Sequence, residues 1–410
     1  MSDIVLSASV RQNLLSLQST ADLLATTQNR LSTGNKVNSA LDNPTNYFTS
    51  QSLNSRASDI SNLLDGIGNG VQVLQAANTG ITSLQKLVDT AKSIANQALQ
   101  TTSGYTAKAS ANTAAPTGAG PLSVAGTTSD LTNAGTNSLQ GETLIFKDST
   151  GTSTTLTISN VSGAGKVNSI NSLNSALSAA GINLTASLNA NGSLGLTSTN
   201  DNASQVITSA GATPAANTID VTGTATIALV GGGTPTADAA SQTARASLVS
   251  QYNAVLQQIQ TTSQDSSFNG VNLLNGDQLK LVFNETGKST LNIAGVTDNP
   301  TGLGLSNLTS GTDFTDNTKT NTVLAALNTA SSTLRSQAST LGSNLSIVQI
   351  RQDFSKNLIN VLQTGASNLT LADSNQEAAN SQALSTRQSI AVSALALANQ
   401  SQQSVLKLLQ

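Results

Sequence analysis

The stretch VRQNLLSLQSTADLLATTQNRL, residues 10–31, decides the fold. Val10, Leu14, Leu17, Ala21, Leu24 and Leu31 recur at intervals of 4, 3, 4, 3 and 7, and Gln28 fills the missing seam position. An α-helix turns once per ~3.6 residues, so this spacing lays the apolar side chains along one narrow stripe, as in a coiled coil. A helix of about four turns is expected. It should stop at Gly34 and the Asp42-Asn43-Pro44 cluster, because proline lacks an N–H and disfavours helix in the residue before it.

Further along, Ile60, Leu64, Ile67, Val71, Leu74, Asn78 and Ile81 continue the pattern, which extends through Val88 to Ala98. Gly66, Gly68, Gly70 and Gly80 fall inside that helix, each costing about 1 kcal/mol relative to alanine. Neighbouring helices are expected to compensate. The C-terminal third mirrors this half. Leu327, Leu334, Ala338, Leu341, Leu345, Val348, Ile359, Leu362, Ala366 and Leu369 keep heptad register, and from Gln376 onward two stripes run side by side. One is Ile390, Ala394 and Leu397; the other is Ala391, Leu395, Ala398, Val405 and Leu409. A helix that is apolar on two stripes needs partners on more than one side.

Between the helical arms, residues 101–240 are rich in Gly, Thr, Ser and Ala, and no arginine occurs between Arg56 and Arg245. Leu184, Ala186 and Leu188 alternate, Asn191-Gly192 follows, and Leu194 and Leu196 alternate again. Asn-Gly between alternating runs is a strong hairpin signal, since both residues tolerate positive φ. Residues 143–147 and 154–158 flank Asp148-Ser149-Thr150-Gly151 as a second hairpin. Ile170, Leu173, Leu177 and Ala180 fit a short amphipathic helix. The fold class expected is mainly α, long-helix coiled-coil arms with N- and C-terminal segments paired, carrying an inserted β-rich, α+β outer domain.

Composition narrows the function. The chain has 410 residues, net charge −3 and only 10% charged residues, with no Cys, His or Trp. Ser, Thr, Asn and Gln supply 181 of the residues, so small uncharged groups keep the chain soluble. Without Cys or His, zinc fingers, haem ligation, iron–sulfur clusters and Ser-His-Asp catalysis are excluded. Glu142, Glu285 and Glu377 are the only glutamates, and none pairs with a carboxylate in an acid–base pattern. Gly231–Gly233 is not followed by Lys-Ser/Thr, so it reads as a turn rather than a phosphate loop. No enzyme activity, no cofactor and no metal is expected. No Lys/Arg cluster suggests nucleic acid. No apolar run approaches the ~18 residues of a membrane span. Met1–Gln12 lacks the basic and apolar regions of a secretory signal.

Four segments carry a resemblance. Residues Leu31-Ser32-Thr33-Gly34-Asn35-Lys36-Val37-Asn38-Ser39-Ala40-Leu41-Asp42-Asn43-Pro44 resemble the signature after the first helix of bacterial flagellins. Ser58 to Ala98, with Asp65-Gly66-Ile67 and Val73-Leu74-Gln75-Ala76-Ala77, is similar to the family's long core helices. Phe268-Asn269-Gly270-Val271-Asn272-Leu273-Leu274-Asn275-Gly276 resembles the hairpin after its returning helix. Thr386-Arg387-Gln388-Ser389-Ile390 and Gln403–Leu409 resemble its C-terminus, and the wording of Leu41–Arg56 looks alphaproteobacterial.

The resemblance implies a structural subunit that polymerises into the extracellular flagellar filament used for swimming, exported unfolded by the flagellar type III apparatus without a cleaved signal peptide. It implies self-association, with other flagellins where they are co-expressed, and contacts with an export chaperone and with hook-associated junction and cap proteins. Residues 1–45 with 371–410 would form an inner terminal-helix domain. Residues 46–100 with 241–370 would form a helical core domain with a β-hairpin region at 263–320, and 101–240 a variable outer domain. The filament interface is expected at Val10, Leu14, Leu17, Leu24, Leu31, Ile390, Leu397, Val405, Leu406 and Leu409. In Leu84–Ala91, the segment aligned with innate-immune recognition, Lys86, Val88 and Asp89-Thr90 depart from the recognised wording, so weak or absent receptor activation is expected. Two alternatives stand beside this reading: a hook–filament junction protein of the same fold, and a flagellin-like surface protein that binds a glycan.

Overall fold

The computed structural model describes residues 8–115, 131–132, 139–189, 191–209, 214–215, 217–224 and 227–408. The chain opens with α1 (Ala8–Thr33) and α2 (Pro44–Gln100). There follow β1 (Tyr105–Ala107), β2 (Ser110–Thr113), β3 (Thr143–Lys147), β4 (Ser153–Ile158) and β5 (Lys166–Val167), then α3 (Ile170–Ala179). The strands resume with β6 (Leu184–Leu188), β7 (Leu194–Ser198), β8 (Val206–Thr208), β9 (Thr218–Gly223), β10 (Leu229–Val230) and β11 (Thr236–Ala237). α4 (Ala239–Asp265), β12 (Gln278–Val282), β13 (Thr290–Ala294), α5 (Asn317–Thr370) and α6 (Ser374–Leu408) complete it. Long helices at both ends of the chain enclose a strand-rich insert, as the patterning predicts. The chain divides into two compact units: residues 1–72, 279–293 and 344–410 form one, and 73–278 with 294–343 the other.

The first helix is 26 residues long, not about four turns. Its heptad stripe alone covers most of that length, and nothing interrupts it before Gly34, whose φ of 71° ends the helix. α2 starts where Asn43 Oδ1 accepts the Asn46 N–H at 3.0 Å and Pro44 occupies the first helical position, where a missing N–H costs nothing. The glycines of α2 are accommodated by a different device from the one expected. A methyl group at Gly70 would run into the Leu281 side chain of β12, and one at Gly80 into Ser266 and Leu274, which lie beyond α4. Glycine there admits a strand and a loop, rather than another helix, close against the α2 backbone.

In the first unit, α2 and α5 meet through Ala57, Ile60 and Leu362, with Leu53, Leu358 and Ile359 packed around them. The β12–β13 hairpin is held there by Arg56 Nε on Glu285 at 2.7 Å and by the Arg351 guanidinium 5.7 Å from the Phe283 ring centroid.

In the second unit, β5-β4-β3-β9-β8 form a mixed sheet, β10-β2-β7-β6 a four-stranded sheet and β1-β11 a two-stranded one. Both expected hairpins form, with Leu144 opposite Leu156 and Leu188 opposite Leu194. Gly151 and Gly192 take positive φ in their turns. The short helix is α3, opened by a capping box in which Ser169 and Ser172 satisfy each other's backbone N–H groups. Its Leu173 and Leu177 pack with Phe146, Leu156, Leu194, Leu196 and Val221 into one core. Arg245, the first arginine after Arg56, is 3% exposed on α4. Its guanidinium donates to the carbonyls of Thr101 (2.7 Å), Thr102 (3.0 Å) and Phe314 (2.5 Å), gathering the end of α2 and the approach to α5 around α4.

Phe268-Asn269-Gly270-Val271 forms a two-residue hairpin turn, with φ of 50° and 79° at its centre and two backbone bonds of 3.0 Å between Phe268 and Val271. The buried Asn272 beside it donates to the Ser263 and Gln264 carbonyls at 2.8 Å, closing the end of α4.

Candidate assembly interface

α1 and α6 pack against each other, and further contacts at their ends fix their register within the first unit. Asn35 and Leu371 form an antiparallel bridge; Lys36 N–H donates to Thr370 O at 2.7 Å and Ala372 N–H to Gly34 O at 2.9 Å. Arg30 Nη1 lies 3.5 Å from Glu377 Oε1. That ion pair is single-ended, since Arg30 Nε and Glu377 Oε2 are both buried without a hydrogen-bond partner. The turn beyond α1 is stiffened by Asp42, whose Oδ2 accepts the N–H groups of Asn38 (2.9 Å) and Ser39 (2.8 Å). The Ser39 and Asn38 amides accordingly hold the Asp42 carboxyl below the usual carboxylate range. This turn presents Leu41 at 96% exposure.

The expected interface residues divide by environment. Val10 is buried within the chain, Leu17 and Leu24 are half-buried, and Leu14 and Leu31 are exposed on α1. On α6, Ile390 (64%) and Leu397 (69%) stand in solvent. Val405 and Leu406 lie in the last turns of α6, beyond the side chains described, and Leu409 lies outside the described residues. A set the sequence reading missed lies on α5: Ile347, Ile350, Phe354 and Val361 are all exposed, at intervals of 3, 4 and 7. They form a second heptad stripe beside the buried one of Leu341, Val348, Ser355 and Leu362. The signal for it in the sequence is a second apolar seam beside the first, of the kind that α6 also carries.

Exposed apolar surface is concentrated in this unit. Of the 19 large apolar side chains exposed among the described residues, six precede Gln72 and eight follow Asn344, which assigns 14 to the first unit. At about 60% mean exposure and ~100 Å² of apolar area per side chain, that is on the order of 800 Å², what one partner contributes to a standard protein interface. Among the described residues no group of three or more His, Cys, Asp or Glu could hold a metal ion, and no helix is long and apolar enough to cross a membrane.

Residues 5–129 match the bacterial flagellin N-terminal helical region, and residues 324–409 match the bacterial flagellin C-terminal helical region. The chain belongs to the flagellin family. The matches cover the helical arms together with β1 and β2; residues 130–323, which hold most of the strands, lie outside them. Among relatives, flagellins FljM and FljK of Caulobacter vibrioides are each 32% identical over 163 residues, which is 39% of this chain and 58% of each relative. Flagellin A of Rhizobium meliloti is 35% identical over 86 residues, 21% of this chain and 22% of that protein. The chain thus spans little more than half the length of the Caulobacter flagellins it matches. In these segments the chain is similar to flagellins of the alphaproteobacterial type, and the flagellin family is one of structural proteins.

Proposed function

We propose that this chain is the structural subunit of a bacterial flagellar filament, an extracellular helical polymer used for swimming. The observation that carries the reading is the run of exposed, heptad-spaced apolar side chains on helices that the flagellin regions cover: Ile347, Ile350, Phe354 and Val361 on α5, and Ile390 and Leu397 on α6. Long apolar stripes left open in one chain are covered when copies associate, and a contact between different patches of identical chains propagates as a helix when its rotation does not close a ring. In this reading 1–45 with 371–410 line the inside of the polymer, 46–100 with 241–370 form the next layer, and 101–240 faces outward. Other flagellins, an export chaperone and the hook-associated junction and cap proteins are its partners, and it performs no catalysis.

The test is assembly of purified full-length subunit after salt addition or seeding, read by negative-stain microscopy. The variants Ile390→Asp and Leu397→Asp, at exposed positions, should keep the helical content of the parent and remain monomeric. Normal filaments from both variants would refute the assignment of α6 to the interface. Failure of the parent to assemble with or without seeds would refute the function.

A further inference from the structure

Asp298 follows β13 in the second unit and is 1% exposed, yet neither of its carboxylate oxygens has a hydrogen-bond partner. Its backbone N–H donates to Leu274 O at 2.9 Å, which ties the main chain here to the loop after α4. It stands at the root of a tight turn. Asn299 Oδ1 accepts the Gly302 N–H at 2.8 Å, Leu303 N–H donates to Asn299 O at 3.0 Å, and Leu305 N–H to Pro300 O at 2.7 Å. Even a methyl group on Gly302 would overlap the Thr297 carbonyl. Beyond Asp298 this turn walls two cavities of about 510 and 260 Å³, one against α4 and one reaching α5.

The surroundings of the carboxyl are nearly without charge. Lys86 and Asp89 on α2, Asp265 at the end of α4, Asp277 before β12 and Arg335 on α5 are all exposed, and none of them perturbs its ionisation. Burial pushes the carboxyl up to about 6, and the side chain of Gln337 on α5 draws it partly back. Gln337 Oε1 is itself buried without a partner. For the ionised carboxylate the Gln337 side chain is the one group that draws the proton off, and burial outweighs it. A proton on the carboxyl removes the buried charge and turns one of its oxygens into an O–H donor.

We propose that Asp298 is a proton-operated latch: protonated, it holds the 297–305 turn in place beside α5, and ionised, it loosens that turn so that the carboxylate can reach water. No covalent step is involved. Opening is linked to release of one proton, so the open-to-closed ratio of the turn should rise about tenfold between pH 5 and pH 7.

The test uses the full-length chain kept as monomer. Hydrogen exchange of the 297–305 amides, corrected for the intrinsic pH dependence of exchange, should lose about tenfold protection from pH 5 to pH 7. The Asp298→Asn variant keeps the shape and provides an N–H donor at all pH values, so its corrected protection should be flat. Carbon-13 NMR of the Asp298 carboxyl in the unmutated chain gives a reading that needs no variant. Titration well above the ordinary aspartate range supports the latch. Titration near 4, flat corrected protection in the parent, or the same slope in Asp298→Asn would each overturn it.

Discussion

Two glycines of α2 should respond to one substitution with opposite signs. Alanine is favoured over glycine inside a helix by about 1 kcal/mol, and at Gly66 nothing lies within 4 Å of where the new methyl group would stand. Gly66→Ala should therefore stabilise the chain by about 0.5–1 kcal/mol. Gly80 starts from the same propensity gain. There, however, the methyl group would meet Leu274 Cδ1 and Ser266 Cβ at 2.7 Å, against the ~3.5–4.0 Å of ordinary carbon contacts. Leu274 is fully buried among other side chains, so a shift of its Cδ1 must be passed on to them. Ser266 would have to abandon the 2.6 Å hydrogen bond that its hydroxyl donates to Thr262 O. Overpacking of this kind costs about 1–3 kcal/mol and the lost hydrogen bond about 1 more, so Gly80→Ala should destabilise by about 1–3 kcal/mol net. The two variants are compared by urea and thermal unfolding of monomeric chain, followed by circular dichroism at equal concentration. Shifts of the same sign would refute the claim that close approach, rather than backbone flexibility, is what Gly80 serves.

Other outcomes follow from single sites. Arg245→Met keeps the aliphatic stem but leaves three carbonyls without their donor, and should cost about 3–5 kcal/mol in denaturant unfolding. Because the folded-state carboxyl of Asp298 is raised from 3.8 to about 6, its contribution is most favourable below pH 4 and is lost as pH rises to 6. Asp298→Asn should thus gain up to about 3 kcal/mol over the parent at pH 7 and nothing at pH 3.5, and equal gains at both values would exclude a raised carboxyl. On α5, Ile350→Asp and Phe354→Asp alter exposed positions, so monomer stability should move by no more than ~0.5 kcal/mol while seeded growth slows sharply. Unimpaired growth would remove the α5 stripe from the interface.

Periodicity made the helical arms legible because a heptad pattern states both the element and the face it buries. The turns were legible for a similar reason: Asn191-Gly192 and Asp148–Gly151 combine residues whose side chains or missing Cβ suit one backbone geometry, and the structure places hairpins at both. What escaped the sequence was long-range. The glycines of α2 declare a weak helix, but only the fold says that Gly70 faces Leu281 of a strand, more than two hundred residues on. Arg245 reads as one arginine after a long gap until the ends of α2 and the approach to α5 converge on it. Strand order in the mixed sheet, where β9 pairs with β3 and β8, is likewise absent from local alternation.

The missed α5 stripe shows why burial in one chain is an incomplete guide to a protein that assembles. Leu341, Val348 and Leu362 are explained by one seam, and once α5 has a partner along that seam a further apolar set looks superfluous. Ile347, Ile350, Phe354 and Val361 repeat at the same heptad interval about a third of a turn away, so the helix is built to be covered on two sides. The chain supplies a cover for one of them. Ser355 at the heptad position between Val348 and Leu362 sharpens the point, since the inner seam tolerates a buried hydroxyl while the outer stripe carries Phe354 in the adjacent position. Exposing a phenylalanine and three branched apolar side chains while burying a serine is unfavourable for an isolated subunit and makes sense for one stabilised by its neighbours. If that is the reason, Ser355→Ala should raise monomer stability slightly and leave assembly unchanged, whereas Phe354→Ser should leave the monomer unchanged and weaken assembly. The reverse pattern would mean that the inner seam, not the outer stripe, joins the copies.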